Sequence, residues 1–422
     1  MRNFCVLLTF AMAAFAQDAV RPKDVRDLAK DGSSAIPKLA ELLKHQDVEI
    51  RREAVKAIAE IGTQHSLDPL VEATRDNDPE VQIRATDGLV NFYLPGYLRT
   101  GFGATLRRAG TSIRGRFTDT NDQIIDAYIQ PRPDVVEALG KLARGGVTMD
   151  VRANAARAVG ILRGKEAVPD LLEALRTKDS TVLYEALIAF QKIRDQSVGP
   201  KLTFLVRDLD TKVQVAAIET AGLLLNKEAV PELVYVLGRT GDRKVRRAAL
   251  TSLAMLPDEA SRRLFERYLV DKDERMRGAA AEGLARLKNP DDMTRLAAAY
   301  QSEKKTSPRL SLAFAQVALG NHEISELSPL QYLVNTLNST SYRGEAFAFL
   351  VELARTPEIR TKLYTPLTRG SKDERIHLSR VMARSGDEST IPHLEQLQKD
   401  SDPAVASEAL SALRSLRTRL GL

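Results

Sequence analysis

A five-residue pattern returns about every 31 residues along most of the chain: Asp, Ser or Thr, two variable residues, an apolar residue and a polar residue. It reads Asp47-Val-Glu-Ile-Arg51 in the first copy and Asp242-Arg-Lys-Val-Arg246 in the sixth. The eleven copies begin at Asp47, Asp78, Thr148, Asp179, Asp210, Asp242, Asp273, Ser307, Ser339, Asp373 and Asp402. A fixed period of this length is typical of a stacked array of small repeats rather than of one globular core.

Each copy of the pattern predicts the start of an α-helix, which we name helix B. Short side-chain oxygens accept a hydrogen bond from a free N–H of the first turn, so Asp, Ser and Thr favour the N-cap. Behind the cap, apolar or small residues recur at offsets 3, 7, 10, 11 and 14, the spacing of one helical stripe. Offset 7 is alanine in nine copies, with Phe314 and Arg380 as the exceptions, which predicts close approach of a neighbouring helix.

A second helical pattern, which we name helix A, precedes most caps. Proline lacks an N–H and pre-sets φ, so it suits a first helical turn, and leucines follow it, as in Pro169–Leu175. Each repeat is therefore predicted to be helix A, a short turn and helix B. The prolines are Pro37, Pro69, Pro169, Pro200, Pro231, Pro329 and Pro392. Glycines predicted to end B helices in the left-handed conformation are Gly62, Gly160, Gly222 and Gly320.

The unit Ala-Val-Pro-x-Leu-x-x-x-Leu, at Ala167–Leu175, followed by Asp-x-x-Val-Arg-x-x-Ala, at Asp242–Ala249, resembles a HEAT repeat. More narrowly, it is similar to the HEAT-like repeats of the phycobilisome lyase group. The resemblance covers about residues 35–91 and 132–420. It implies an all-α fold: a right-handed α-solenoid of about eleven two-helix repeats with one irregular insertion. Its alternative functional implication is a lyase-like or cofactor-handling protein.

The same resemblance implies that the B helices line a concave face and that an arginine at offset 4 pairs with an aspartate of the next repeat. Two interpretations of these arginines stay open: a structural ladder, or a basic track that binds an extended ligand. Neighbouring aspartates partly neutralise such a track. The candidate residues are Arg51, Arg152, Arg246, Arg277 and Arg343.

Residues 1–16 have the composition of a secretory signal peptide. Arg2 precedes the apolar run 4–15, and Ala14-Phe15-Ala16 forms a small-x-small cleavage site. The run is shorter than the roughly 20 residues that a membrane-spanning helix needs. We therefore expect an exported protein, periplasmic or secreted. Its one cysteine, Cys5, would leave with the signal, so the mature chain would contain no disulfide and no thiolate.

One insertion interrupts the array between Asp78 and Thr148, where the gap is 70 residues. The predicted organisation is a signal peptide at 1–16, an N-terminal cap with two repeats at 17–91, a basic, aromatic, glycine-rich insertion at 92–130, and nine repeats at 131–422. Five arginines and no acidic residue lie between positions 89 and 118. Either the insertion packs on the adjacent helices, or it forms a basic lip for an anionic partner. Candidate binding residues are Tyr93, Tyr97, Arg99, Phe102, Arg107, Arg108, Arg114 and Arg116.

No recognisable motif for catalysis or metal binding accompanies the repeats. The five histidines have no metal-ligand spacing, and no nucleophile elbow or phosphate-binding loop is present. We therefore predict no catalytic residue, no metal and no cofactor. The formal charge of +6 is modest for 422 residues, and an export signal disfavours nucleic acid as a partner.

These features together predict an exported, non-enzymatic scaffold for protein–protein interaction. It would bind protein partners with acidic segments through the concave face and the insertion. An envelope-surface binder that contacts anionic lipid or glycan, without being an integral membrane protein, is the alternative from the insertion. The sequence leaves the oligomeric state open.

The export hypothesis predicts that the mature protein begins at Gln17. The intact mass of the protein recovered outside the cytosol should correspond to a chain that lacks residues 1–16. A recovered protein that retains Met1 to Ala16 would show that this segment is not a cleaved signal.

Overall fold

The structure is a computed structural model that describes residues 20–98, 123–126 and 128–422. These residues form helices and turns, and no β-strand occurs among them. The chain divides into two compact units, Met1–Thr111 and Ser112–Leu422, which we name unit 1 and unit 2. The predicted signal peptide lies outside the described residues.

The α-helices are short and follow one another closely. Unit 1 contains α1 Pro22–Leu28, α2 Ile36–Leu42, α3 Val48–Ile61, α4 Leu67–Ala73 and α5 Pro79–Tyr93. The first half of unit 2 contains α6 Pro133–Gly145, α7 Met149–Ile161, α8 Val168–Ala174, α9 Ser180–Ile193, α10 Gly199–Leu202, α11 Thr211–Leu223, α12 Val230–Arg239 and α13 Arg243–Met255. The second half contains α14 Arg262–Tyr268, α15 Glu274–Arg286, α16 Met293–Ser302, α17 Thr306–Ala318, α18 Pro329–Thr336, α19 Arg343–Leu353, α20 Pro357–Arg369, α21 Lys372–Ser385, α22 Ile391–Leu397 and α23 Pro403–Leu420.

From α2 onward the even-numbered helices are A helices and the odd-numbered ones are B helices, so the described residues contain eleven A–B pairs. Each of the seven predicted prolines lies in the first turn of an A helix, as Pro169 does in α8. A short 3-10 turn, such as Lys165–Ala167, precedes many of the A helices. The predicted repeat, a helix A followed by a helix B, is therefore confirmed along both units.

Eight of the eleven predicted N-caps accept a hydrogen bond from the first turn of their B helix. In α9, for example, Asp179 Oδ1 accepts from the N–H groups of Thr181 and Val182, both at 3.0 Å. The other caps of this kind are Asp47, Asp78, Thr148, Asp210, Asp242, Asp273 and Asp402.

The prediction is wrong for Ser307 and Asp373, because the helices there begin at other residues. Ser339 Oγ accepts from the N–H of Tyr342 at 3.3 Å, in the turn that leads into α19 at Arg343. In α21 the N-cap is Ser371, whose Oγ accepts from the N–H of Glu374, while Glu374 accepts from the N–H of Ser371. This capping box lies two residues before the predicted cap and shifts the register. Seven residues after Ser371 comes Leu378, which is fully buried, so Arg380 is left on the exposed side of the helix.

The small residues at offset 7 pack where neighbouring B helices approach each other. All nine alanines at this offset are buried: Ala54, Ala85, Ala155, Ala186, Ala217, Ala249, Ala280, Ala346 and Ala409. Two of the predicted helix terminators serve the same close approach instead. A Cβ on Gly160 would lie 2.8 Å from Cα of Ala189, and one on Gly222 would lie 2.9 Å from Cα of Ser252. Of the four glycines, Gly62 and Gly320 do have positive φ.

Arg286, in α15, joins four successive B helices of unit 2. It donates to the carbonyl of Ala254 in α13 at 3.1 Å and to Glu282 in its own helix at 3.2 Å. Its guanidinium lies 5.0 Å from the ring centre of Phe314 in α17 and donates twice to Glu352 in α19, at 2.7 and 2.9 Å. A side chain that reaches across an intervening helix requires the B helices to line an inner surface. We use "inner surface" for this B-helix side of unit 2.

Among the described residues, no helix is both long enough and apolar enough to cross a membrane.

Substitutions in the sixth and seventh repeats test the cap and the packing separately. Asp242→Ala removes only a cap and should lower the free energy of unfolding by about 1 kcal/mol. Asp273→Ala should cost more, because Asp273 also accepts from Arg247 Nε at 2.9 Å. Ala249→Leu should cost about 1–3 kcal/mol through overpacking. Chemical denaturation measures all three, with the exposed Lys244→Ala as control; a neutral Ala249→Leu would contradict close packing at offset 7.

Candidate functional site

The described part of the predicted insertion is structural at its start. Tyr93, the last residue of α5, is buried and packs edge-on against Phe92, with 4.9 Å between ring centres. The N–H of Tyr97 donates to the carbonyl of Leu94 at 3.1 Å. The remaining candidates in the insertion lie outside the described residues: Arg99, Phe102, Arg107, Arg108, Arg114 and Arg116.

The arginines at offset 4 lie in the first turn of the B helices and bridge turns between helices. Arg277 donates to both oxygens of Glu303 in the next repeat, at 2.8 and 3.0 Å, and to the carbonyl of Asp271 at 2.9 Å. Arg51 pairs with Asp76 at 2.7 Å in the same way. These contacts join one repeat to the next, as the structural ladder predicts.

Of the other three offset-4 arginines, one also bridges repeats. Arg343 donates to the carbonyl of Leu337 at 2.6 Å and to Asp373 at 2.8 Å. Arg152 donates to the carbonyl of Ala143, at the end of α6 in its own repeat, at 3.2 Å, and Arg246 is half-buried. The structure thus gives Arg51, Arg277 and Arg343 a bridging role, and the use of all five as a binding track stays a prediction.

A different set of arginines gathers at the opposite ends of the B helices. Arg163 and Arg194 follow α7 and α9, Arg355 follows α19, and Arg384 lies in the last turn of α21. We name these four residues the inner arginine cluster. All four side chains are exposed to solvent. Within the described part of the chain, none of them forms an ion pair with a carboxylate.

The four charges act on one another although Arg194 and Arg384 are 190 positions apart in the sequence. Burial lowers the pKa of Arg194, and Arg384, Arg163 and Arg355 lower it further. Burial likewise lowers the pKa of Arg384, followed by the effect of Arg163 and Arg380. The effect of one charge on the pKa of another falls off with distance, so these couplings place the arginines near one another. The third and fourth repeats therefore bring their charge near that of the ninth and tenth.

The contacts of the cluster leave its charge uncompensated. Arg384 lies over the ring of Phe347, 4.9 Å from its centre. Arg194 donates a long hydrogen bond, 3.4 Å, to the carbonyl of Leu223. Carbonyl oxygens at helix C-termini carry partial negative charge and favour cations there, but they do not neutralise a full charge.

Nearby arginines differ from the cluster because they have acidic partners. Arg380 pairs with Glu408 at 2.6 Å, and Arg360 pairs with Asp387. Deeper on the B helices, Arg157 forms a buried pair with Glu185 at 2.9 Å. The cluster thus groups four arginines that have no acidic partner among the described residues at one end of the B helices.

The repeat geometry sets the left-handed backbone conformation of two cluster residues. Arg163 and Arg194 have φ values of 52° and 63°, and Leu225 and Lys288 share this left-handed conformation at the same offset, 15 residues after the cap. Such a conformation is unfavourable for a side chain other than glycine. The repeat geometry imposes it, while the choice of arginine is particular to the third and fourth repeats.

Chemically, the cluster is suited to anions. Guanidinium groups bind carboxylate and phosphate through paired N–H donors and stay charged at any physiological pH. Several of them close together favour a ligand with several negative charges. Within the described ranges, no group of three or more His, Cys, Asp or Glu side chains is placed to hold a metal ion.

Three solved structures are similar to this chain. An engineered protein matches at 19% identity and a TM-score of 0.34, covering 90% of this chain and 98% of that one. The complex of CpcE and CpcF of phycocyanin lyase from Nostoc sp. matches at 17% identity and a TM-score of 0.32, covering 76% and 95%. Importin beta matches at 14% identity and a TM-score of 0.39, covering 95% of this chain and 60% of that one. The comparison with curated proteins gives no match.

The family of HEAT repeats matches residues 12–90, 136–208, 200–285 and 239–315, which together make up more than half of the chain. With eleven A–B helix pairs in the described residues, this chain belongs to the HEAT-repeat family.

Proposed function

We propose that this protein is an exported, non-enzymatic scaffold that binds an acidic segment of a partner protein in the inner arginine cluster. The observation that carries the proposal is the cluster itself: four solvent-exposed arginines with no carboxylate partner among the described residues, in which the pKa of Arg194 and of Arg384 is lowered by other arginines. A conserved fold alone does not define a function, so the argument rests on this site.

Binding is favoured over catalysis by the arrangement of charge. The carboxylates that come with arginines on the inner surface are already paired, as in Arg157–Glu185 and Arg286–Glu352. The four groups of the cluster are all of one sign. Such an arrangement attracts and orients an anionic ligand, and guanidinium groups stay protonated at physiological pH, so the cluster itself supplies no general acid or base.

A polypeptide ligand is favoured by the repeat architecture. Repeat arrays present extended surfaces assembled from equivalent positions, which suit an extended segment better than a compact small molecule. A segment rich in Asp and Glu would supply several carboxylates in succession. Export belongs to the same proposal and rests on the signal-like sequence of residues 1–16.

Binding of a poly-glutamate peptide tests the cluster. Changing Arg163, Arg194, Arg355 and Arg384 to Gln should weaken binding by about tenfold or more, since charge-assisted contacts dominate such a site. Fluorescence anisotropy at several salt concentrations measures the affinity. Wild-type affinity should fall with salt, because exposed charges are screened over about 8 Å at physiological ionic strength.

A matched control removes the same net charge from elsewhere in unit 2. The control variant changes Arg176, Arg243, Arg263 and Arg275 to Gln, and all four are exposed. If both quadruple variants lose affinity equally, the protein binds acidic peptides through its overall charge and the cluster is no site. The cluster variant should also keep or raise the melting temperature, because like charges repel in the folded state. A large drop would instead assign those arginines a structural role.

The predicted basic lip gives a second, independent prediction. If it binds an anionic partner, changing Arg107, Arg108, Arg114 and Arg116 to Gln should weaken poly-glutamate binding while chemical unfolding stays unchanged. Unchanged binding, together with a lower melting temperature on substituting Tyr97 or Phe102, would favour the packing interpretation.

A further inference from the structure

Two exposed aromatic side chains lie in adjacent repeats at a position that is polar in three other repeats. Tyr235 belongs to α12, whereas Phe204 lies in the 3-10 turn Thr203–Arg207 that follows α10. In five A helices the proline is the second residue, and the residue four positions later is exposed. In three of these repeats it is Glu41, Glu173 or Gln396. In the fifth and sixth repeats it is Phe204, 63% exposed, and Tyr235, 49% exposed.

The repeats themselves thus show that this position accommodates a polar residue. In α2, α8 and α22 it is an exposed Glu or Gln, so an aromatic side chain there is not needed to form an A helix. Large aromatic side chains are strongly stabilised by burial, so exposing two of them side by side costs solubility without any gain in packing. Exposed aromatic patches of this kind mark interaction surfaces.

A shallow groove adjoins Phe204. Its cavity of about 200 Å³ is lined by Thr203, Phe204, Arg207 and Glu232. The guanidinium of Arg207 lies 4.0 Å from the centre of the Tyr235 ring and also pairs with Glu232. Phe204, Arg207 and Tyr235 therefore form one continuous surface, which we name the outer groove.

The surroundings of the outer groove are apolar and basic. Val234, next to Tyr235, is exposed, and Leu209, just before the cap of α11, is fully exposed. The residue at the Leu209 position is polar in most other repeats, for example Gln46, Asn77, Lys178 and Lys272, and is Val147 in the third repeat. The guanidinium of Arg239 lies 5.9 Å from the centre of the Tyr235 ring. Arg207 is neutralised by Glu232, while Arg239 has no carboxylate partner among the described residues.

We propose that the outer groove docks a partner polypeptide through an aromatic or aliphatic side chain adjacent to a carboxylate. The apolar side chain would lie against Phe204 and Tyr235, and the carboxylate would meet Arg239. Tyrosine and arginine are the residue types that dominate binding energy at interfaces. This surface belongs to α12 and to the 3-10 turn after α10, whereas the inner arginine cluster belongs to B helices, so the proposal goes beyond the function proposed above and does not depend on it.

A displayed library of random peptides, selected on the full-length protein, supplies the probe. The selected peptides should share an aromatic or aliphatic residue next to Asp or Glu. Their affinity, measured by calorimetry, should fall about tenfold or more for the double variant Phe204→Glu and Tyr235→Glu. These substitutions introduce a residue that the same position holds in other repeats, so the variant should fold with an unchanged melting temperature.

Two controls make the outcome decisive. Arg239→Gln should weaken binding of the acidic peptides but not of versions in which Asp and Glu are replaced by Asn and Gln. Glu173→Gln, at the same position outside the outer groove, should change nothing. The proposal is overturned if no peptide is selected, if selected peptides bind the double variant as well as the wild type, or if sedimentation shows that the outer groove is buried in a dimer of this chain.

Discussion

The close contact between successive B helices is the interaction on which the rest of the structure depends. A single helix pair has too little surface to bury its own apolar stripe, so each repeat is stable only against its neighbours. Small residues make that contact possible: Ala249 is fully buried, and Gly160 leaves no room for a Cβ beside Ala189. Because backbone meets backbone there, even one added methylene group forces the helices apart. The N-caps and the arginine ladder refine an array whose spacing this contact has already set.

The close spacing of the B helices also gives the array a curvature, and the proposed function depends on this curvature. Each repeat adds a small rotation, and the rotations accumulate until arginines near positions 163 and 194 influence those near 355 and 384. The contact from Arg286 in α15 to Glu352 in α19, across α17, results from the same curvature. The array thus assembles a concentrated positive site from residues that no single repeat contains.

The sequence could predict features that arise within one repeat, but not those that depend on the rotation accumulated over several repeats. Helix type, the A–B order, the prolines in first turns and eight caps follow from local chemistry within one repeat, and the structure confirms them. The predicted N-cap at Asp373 is wrong because Ser371 and Glu374 form a capping box that begins two residues earlier. The inner arginine cluster was missed because proximity of Arg194 to Arg384 depends on the accumulated rotation. The only local signal was an arginine at offset 15 in the third and fourth repeats. The backbone there is left-handed, and in the first repeat the same position is glycine, Gly62.

The two proposed surfaces follow from the two kinds of position that a helical repeat offers. Core positions must keep their size and polarity, because each is buried by both neighbours. Positions on the outer side of the A helices and at the ends of the B helices are free to vary, and Glu173 in α8 and Tyr235 in α12 occupy the same exposed position of their helices. A stack can therefore acquire an aromatic groove on one side and an arginine cluster on the other without altering its packing. Binding at one surface needs no change at the other, since no side chain is shared between them. If both proposed surfaces bind, this separation would let one array hold two partners at once.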